Sequence, residues 1–314
     1  MGVSVVVTVL NEENTIFSLI DSLRKQTLKF DELIIVDGGS TEKTVGIIKH
    51  FQKKDSRIKL LVTKSSRAKG RNLGIEIARN EIIALTDAGC VADKRWLSRL
   101  TQPFKNEEVD VVAGFYKMER KSAFQKALGV FLGTMPDEFN AEFLPSARSM
   151  AFRKSVWESV GGFPEKAKST AEDTLFSYNL VKNGFTIVRV KNARVEWRIP
   201  NSVGETFDKI FSYAKGDVGT KIWIHPIRGI TSHNIKALFK FLRYLTALLF
   251  FVFAFEYAIL WWILTVSLIL YIFWAFKKTF IHFEDLRVGL WGVFFQFLSD
   301  FAVMGGFVSG VLKR

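Results

Sequence analysis

Twenty consecutive residues, Tyr257 to Phe276, carry no charged side chain. A helix of about 20 apolar residues is long enough to cross a ~30 Å hydrocarbon core. A run of this kind therefore restricts the chain to folds that place a helix in lipid or enclose it completely. Two further apolar stretches flank it. Leu238 to Phe255 has Lys240 and Arg243 near its start, where long basic side chains can snorkel toward water. Val288 to Leu312 contains Gln296 and Asp300. Residues 238–314 are accordingly expected to form a membrane domain of about three hydrophobic helices, 238–255, 257–276 and 288–312.

Charge around these stretches sets an orientation. Glu256 separates the first two with almost no loop, so they read as a tight hairpin. Lys236, Lys240 and Arg243 mark the start of the first, and Lys277, Lys278 and Arg287 lie between the second and third. The positive-inside rule puts both clusters in the cytosol, together with the N-terminal part of the chain. Three crossings would leave Lys313 and Arg314 on the opposite face, a conflict that a re-entrant or in-plane third segment removes. Asp300 is expensive in lipid and is expected to face protein, with a role in helix packing. Before the first span, residues 221–237 mix Trp223, Ile224 and Ile227 with Lys221, His225 and Arg228, a composition suited to the headgroup layer. His225 is also a candidate metal ligand.

The excess of 44 Lys and Arg over 31 Asp and Glu gives a net charge of +13. Such a balance suits membrane lipids or a phosphorylated substrate. A nucleic-acid partner is disfavoured because basic residues cluster beside hydrophobic spans. One cysteine, Cys90, rules out an internal disulfide and is expected to serve packing.

Residues 1–220 read as a separate α/β domain. Apolar, β-branched runs at Val3 to Val7, Leu33 to Val36, Ile58 to Val62 and Ile82 to Thr86 alternate with helical periodicity at Thr15 to Lys25, Thr41 to Lys53 and Ala68 to Ala78. This alternation is the signature of a doubly wound parallel sheet. Ser40 or Thr41 is the expected N-cap of the second helix. Farther on, Trp96 to Phe104 and Ala171 to Asn183 read as helices, the latter stopped by Gly184. Val109 to Tyr116, Thr186 to Arg189 and Ala193 to Trp197 read as strands. The stretch Ser122 to Arg148 has no clear period. In doubly wound sheets the ligand site lies at the carboxyl ends of the strands. Asn11, Asp37 and Asp87 each follow an apolar strand directly, which points to a shared site, although each Asp also suits a helix cap.

The segments Val5-Val6-Val7-Thr8-Val9-Leu10-Asn11-Glu12-Glu13, Ile34-Ile35-Val36-Asp37-Gly38-Gly39-Ser40-Thr41, Ala68-Lys69-Gly70-Arg71-Asn72-Leu73-Gly74 and Leu85-Thr86-Asp87-Ala88-Gly89 come in that order. Val160-Gly161-Gly162-Phe163-Pro164-Glu165 and Ala171-Glu172-Asp173-Thr174-Leu175-Phe176 follow them. Together these resemble the family 2 glycosyltransferases. The resemblance runs from about residue 3 to 220. It implies a GT-A fold, a doubly wound mixed sheet, here followed by C-terminal transmembrane helices.

The same resemblance implies roles. The loop after the first strand, with Thr8, Leu10, Asn11 and Glu12, would hold the nucleobase and ribose of a nucleoside-diphosphate sugar together with Asp37. Arg71 would lie near the nucleotide, and Ala88 beside it. Asp87 matches the first Asp of the family's Asp-x-Asp motif, which holds Mn²⁺ or Mg²⁺ on the diphosphate through hard oxygen ligands. The chain departs from that motif at Gly89, where the second Asp would stand; Asp93 is nearby but also suits the cap of the helix around Trp96. Asp173 would be the general base, with Glu172 orienting it or touching the acceptor, although both are also acids favoured in a first helical turn. Glu196-Trp197-Arg198 is placed to reach an acceptor.

Absent motifs narrow the class. No Gln is followed by x-x-Arg-Trp, the mark of the family's processive polysaccharide synthases, so single-sugar transfer is expected. There is no phosphate-binding Gly-x-x-x-x-Gly-Lys-Ser/Thr loop and no Gly-x-Gly-x-x-Gly after the first strand. The sequence thus predicts an inverting transferase acting on a polyprenyl- or dolichyl-phosphate or a lipid-linked glycan. The competing reading is a non-catalytic membrane scaffold or regulator that binds nucleotide-sugar.

Overall fold

The computed structural model describes residues 1–165, 171–227, 229–230 and 232–312; Arg228, Lys313 and Arg314, used in the charge argument above, lie outside them. The chain divides into two compact units, residues 1–119 with 136–198, and residues 120–135 with 199–314.

The first unit is built on an eight-stranded sheet of order β3-β2-β1-β4-β7-β6-β8-β5. Strands β1 (Val3–Val9), β2 (Glu32–Asp37), β3 (Ile58–Val62) and β4 (Ile82–Leu85) are parallel. Val5, Leu33, Ile34, Ile35 and Ile83 are wholly buried, as a sheet covered on both faces requires. Helices α1 (Ile16–Arg24), α2 (Thr44–Lys54) and α3 (Arg67–Glu76) follow the first three strands. The chain turns from β1 outward to β2 and β3, then returns to place β4 on the other side of β1. That reversal is the topological switch point at which such sheets bind ligands.

The second half makes the sheet mixed. Strands β5 (Cys90–Ala92), β6 (Val111–Met118), β7 (Met150–Arg153) and β8 (Ile187–Trp197) complete it. β7 runs antiparallel to both β4 and β6, β8 is parallel to β6, and β5 is antiparallel to β8. The two short strands expected over 186–197 are one strand. Its register against β6 shifts between Ala113 and Phe115. There Gly114 lies so close to Ser149 Oγ and Ala193 O that a side chain would collide with both. Helices α4 (Trp96–Thr101), α6 (Lys154–Ser159) and α7 (Glu172–Lys182) pack on this half. α7 stops where Gly184 takes φ +74°, with Gly184 N donating to Val181 O and Phe185 N to Leu180 O. Phe152, Phe163 and Phe176 fill the core beneath α7.

One expected cap is corrected. α2 begins at Thr44 with Lys43 in the cap position and no side-chain cap bond. Ser40 and Thr41 are engaged instead by the loop after β1.

The second unit is helical: α5 (Ala123–Leu132), α8 (Val203–Thr220), α9 (His233–Phe253), α10 (Ile259–Phe280) and α11 (Leu286–Leu312). By length and composition α10 and α11 are apolar enough to cross a membrane. Asp300 of α11 is fully buried and accepts bonds from Lys240, Arg243 and Tyr244 of α9, Tyr271 of α10, and Gln296 one turn away. One carboxylate thus ties three helices together, the packing arrangement expected of an acid among apolar helices.

Candidate active site

Small residues on α3 let it sit close on the sheet. A Cβ on Gly74 would come within 2.6 Å of Val6 Cγ1, and one on Gly70 within 3.1 Å of Thr8 Cγ2. This approach carries Arg71 down to the carboxyl ends of β1 and β4, where it is 3% exposed. Its Nη2 donates to Asp87 Oδ1 at 2.8 Å and its Nη1 to Glu172 Oε1 at 2.6 Å, while its guanidinium lies 5.4 Å from the Phe163 ring centroid. Arg67, one turn earlier, stands 3.5 Å from the same Glu172 oxygen. A single planar cation therefore joins the end of β4 to the start of α7, although 101 residues separate Arg71 from Glu172. The planar fork of an arginine, with donors in fixed directions, is well suited to bridge two carboxylates in this way.

The electrostatics follow from that placement. Burial opposes the charge on Asp87, but Arg71, Arg148 and Arg67 outweigh it and hold the carboxyl below its ordinary range. Burial likewise opposes the charge on Arg71, and Asp87, Glu172 and Asp173 together raise its pKa. Both groups are thus ionised at neutral pH. Glu172 is enclosed, and its Oε2 has no hydrogen-bond partner. Asp173 is only partly buried. Its Oδ2 meets Ser146 Oγ at 3.5 Å and Ala147 N at 3.4 Å, and its Oδ1 accepts from Thr174 N at 2.9 Å. Long contacts of this kind leave the Oδ2 lone pairs available to a substrate proton.

The two loops at the ends of β1 and β2 are stitched together. Asn11 adopts φ +54°, a conformation that Asn tolerates better than most residues. Its N–H donates to Ser40 Oγ at 2.8 Å and its Oδ1 accepts from Thr41 N at 3.0 Å. Glu12 N donates to Thr44 Oγ1, and the Glu12 carboxylate accepts from the Thr15 hydroxyl. Asp37 is wholly buried and organises its own loop, accepting from Gly39 N, Ser40 N and Ser40 Oγ at 2.5–3.0 Å. Leu10 is 55% exposed at the strand end, whereas Ala88 is buried behind Asp87.

Several residues outside the sequence-based set take part. Asn72 clamps the Gly-Gly-Phe turn: its Oδ1 accepts from Phe163 N and Trp157 Nε1, and its Nδ2 donates to Phe163 O and Glu165 Oε1. Gly162 has φ +73°, with Asn72 and Trp157 where a side chain would stand. This turn leads toward α7, so the glycines serve geometry. Arg148 lies 3.9 Å over the Trp197 ring, Nη1 donating to Ser146 Oγ at 3.2 Å. Position in a quoted motif was the signal for Asn72; nothing in the sequence marked Arg148.

Other candidates are placed elsewhere. Asp93 pairs with Arg194 Nε at 2.5 Å, and its backbone carbonyl, not its side chain, receives Trp96 N. Trp197 is buried as the platform for Arg148, while Glu196 and Arg198 face outward. His225 is held in a tight turn with its Nδ1 accepting from Ile227 N. Burial pushes the Cys90 thiol up to about 12, aided by Asp87, so it stays protonated.

The site suits a divalent cation on one count. Asp87 Oδ1 serves Arg71, which leaves a hard carboxylate oxygen, and the backbone at Gly89 opens on empty space. Among the described residues no cluster of three His, Cys, Asp or Glu can hold a metal. An ion held at Asp87 would need further ligands, which a diphosphate and water can supply.

A strand-end carboxylate tied to a buried arginine at a sheet's switch point marks the chain as a ligand-binding α/β protein of the doubly wound class. The particular family follows from comparison. The model described as Glycosyl transferase family 2 matches residues 4–158, and that of Glycosyl transferase family group 2 matches residues 108–277. The chain belongs to glycosyltransferase family 2. It is 31% identical over 116 residues to Glycosyltransferase GlyG of Streptococcus pneumoniae, covering 36% of this chain and 38% of that protein. The match thus spans well under half of the relative. Among solved structures it is similar to the mannosyltransferase PcManGT of Pyrobaculum calidifontis in complex with GDP-Man and Mn²⁺, with TM-score 0.56, 19% identity, and coverage of 69% of this chain and 62% of that one. It is also similar to residues 1–349 of S. aureus TarS in complex with UDP-GlcNAc, with TM-score 0.53, 21% identity, and coverage of 71% and 68%. These neighbours share the GT-A fold.

Proposed function

We propose that this chain is an inverting glycosyltransferase that moves one sugar from a nucleoside-diphosphate sugar to a lipid-linked acceptor at the cytosolic membrane face. The observation that carries the reading is the Arg71 bridge between Asp87 and Glu172, with the less hindered Asp173 next in sequence.

The donor is assigned to the carboxyl ends of the parallel strands. Thr8, Leu10, Asn11 and Glu12 line the base and ribose side, and Asp37 acts through the loop it shapes. Asp87 faces the diphosphate, with the buried Ala88 next to it supporting the turn. Mn²⁺ or Mg²⁺ held by Asp87 would neutralise charge on the leaving diphosphate; PcManGT, bound with Mn²⁺, supports this choice. Arg71 keeps Asp87 ionised and fixed in direction. Asp173 is the base: its Oδ2 takes the acceptor hydroxyl proton as that oxygen attacks the anomeric carbon. The bond from that carbon to the diphosphate oxygen breaks with its electron pair on the leaving group. Glu172, locked on Arg71, is a positioning residue that holds the start of α7 against the donor side.

The acceptor is a polyprenyl- or dolichyl-phosphate or a lipid-linked glycan. Support comes from the apolar helices and from the basic residues at one end of them: Lys240 and Arg243 are tied to Asp300 and Arg287 to Asp285, while Lys236, Lys277 and Lys278 add positive charge that attracts phosphates and favours a cytosolic orientation.

The test measures nucleoside diphosphate release from UDP- and GDP-sugars by the detergent-purified chain. Each donor is run with Mn²⁺, Mg²⁺ or EDTA, and with or without polyprenyl phosphate. Release with one donor is expected, stimulated by the lipid, abolished by EDTA, and reduced about 10²- to 10⁴-fold in Asp173→Asn, the range for losing a general base. Turnover that Asp173→Asn leaves intact would sink the assignment of the base. A folded chain that binds donor but turns over none would favour a non-catalytic binder.

A further inference from the structure

α11 has the length and composition of a membrane span, yet its neighbours are incompatible with one. Near its start, Trp291 and Phe295 pack against Phe124 of α5 at ring-centroid distances of 5.1 and 4.9 Å. Near its end, Gly306 and Gly310 admit the backbone of α8: a Cβ on Gly306 would strike Phe211 O, and one on Gly310 would lie 3.0 Å from Lys215 O. The α8 helix carries Glu205, Asp208, Lys209, Lys215 and Asp217 within 18 residues, too many charges for hydrocarbon. Residues 293 and 308 are about 22 Å apart along a helix rising 1.5 Å per residue. If α11 stood across the bilayer, α5 and α8 would lie at depths that far apart. Both are joined to the sheet by short connections, and residues 198–202 are too few to pass through a membrane. One of the two would have to sit in the core.

The α9–α10 hairpin is different. Leu245, Leu248, Val252, Val266, Ile269 and Leu270 are each 51–61% exposed. From Ile259 to Phe276 α10 has no charge, about 27 Å of helix. The hairpin ends in aromatic residues and Glu256, and basic residues mark its base. α11 touches that base: Gly289 and Gly292 abut Phe276 and Thr279, Phe297 meets Tyr271, and Phe301 meets Tyr244. Leu286, Leu290, Phe294, Phe301, Val308 and Leu312 are 42–78% exposed. Their spacing of four or seven makes a single stripe along the whole of α11.

We infer that the α9–α10 hairpin crosses the bilayer whereas α11, though long enough to cross, lies along the near face with its exposed stripe among the acyl chains. The occupant of both apolar surfaces is lipid. Asp300 then pairs with Lys240 and Arg243 close to the headgroups, where long basic side chains reach water. The two crossings leave residues before α9 and after α10 on one side. The inference rests on the membrane attachment proposed above.

The test uses the full chain in sealed vesicles of both orientations, with a membrane-impermeant maleimide. The natural Cys90 is 1% exposed and sets the background. Glu205→Cys, Glu256→Cys and a flexible Gly/Ser extension ending in Cys after Arg314 are compared. Expected are labelling of position 205 and of the extension from one face and of 256 from the other, each lost when the reagent is on the opposite side. Labelling of the extension from the face of 256 overturns the in-plane helix. Labelling of 256 from the face of 205 overturns the crossing hairpin. Alkaline carbonate separates the two levels: release of the wild-type chain from vesicles defeats membrane attachment itself, whereas retention with the extension on the face of 256 defeats only the placement of α11.

Discussion

Arg71 shows how a residue of ordinary appearance becomes central through burial. Removing its charge leaves the enclosed Glu172 with only the half-exposed Arg67 at 3.5 Å, and breaking a buried pair costs about 3–5 kcal/mol. Arg71→Met is therefore expected to lower stability by that amount in chemical denaturation, and adding Glu172→Gln to recover a large part of it. An Arg71→Met chain as stable as wild type would contradict the bridge. At the opposite edge of the sheet Glu32 has a purely structural task. It is fully buried, and burial raises its pKa. Hydrogen bonds from Arg79 N, Lys59 Nζ and Ser4 Oγ overcome that and bring it from 4.5 to about 2. A depressed folded-state pKa means that the stabilisation is complete above pH 4.5 and is lost as pH falls toward 2. Glu32→Gln should destabilise the chain at pH 7 by about 3 kcal/mol, from the size of the shift, and flatten the acid limb of stability against pH. An unchanged acid limb would show that Glu32 is not the titrating group.

Among the elements, α3 and α11 use glycine for the same purpose, close approach of a helix to its neighbour. At Gly74 this seats α3 on β1 and β2, so Arg71 reaches the strand ends. At Gly306 it seats α11 on α8. Overpacking such a contact costs about 1–3 kcal/mol. Gly306→Leu should lower the melting temperature in detergent, whereas Val308→Leu on the exposed stripe should change stability by no more than about 0.5 kcal/mol. Equal effects of the two would mean that α8 does not pack there. The α/β alternation of residues 3–85 was readable because each strand is a buried, β-branched run and each helix has its own period. β7 was not readable, since Met150-Ala151-Phe152-Arg153 is short and acquires strand geometry only by pairing between β4 and β6. α5 was hidden for a related reason: its apolar residues answer to α11, far away in sequence.

For the whole molecule, two compact units on one chain predict separable responses to ligand. A donor sugar with Mn²⁺ at 100 times its Kd should stabilise the unit that binds it by about 2.7 kcal/mol. The expected result is an upward shift of one thermal transition, absent in Asp87→Asn and in EDTA, with the helical unit's transition unmoved. A shift that survives Asp87→Asn would remove Asp87 from donor binding. Detergent or lipid composition should move the helical transition instead, because its exposed surface is apolar.

The sequence by itself determined the classes of structure: a parallel α/β half with carboxylates at its strand ends, and a hydrophobic region with basic residues at its base. Both follow from local pattern, since strand and helix periods and charge-free runs are properties of neighbouring residues. Only tertiary structure decided what the polar residues do. Ser40 and Thr41 serve the Asn11 loop instead of capping α2 because β1 and β2 are adjacent and in register. Asp37 is consumed by its own turn, and Asp93 by Arg194. Arg71 joins Asp87 to Glu172 because α3 lies close enough on the sheet to place one side chain between two distant segments. The role of a charged group depends on which opposite charges surround it and how much water remains, and both are set by the fold.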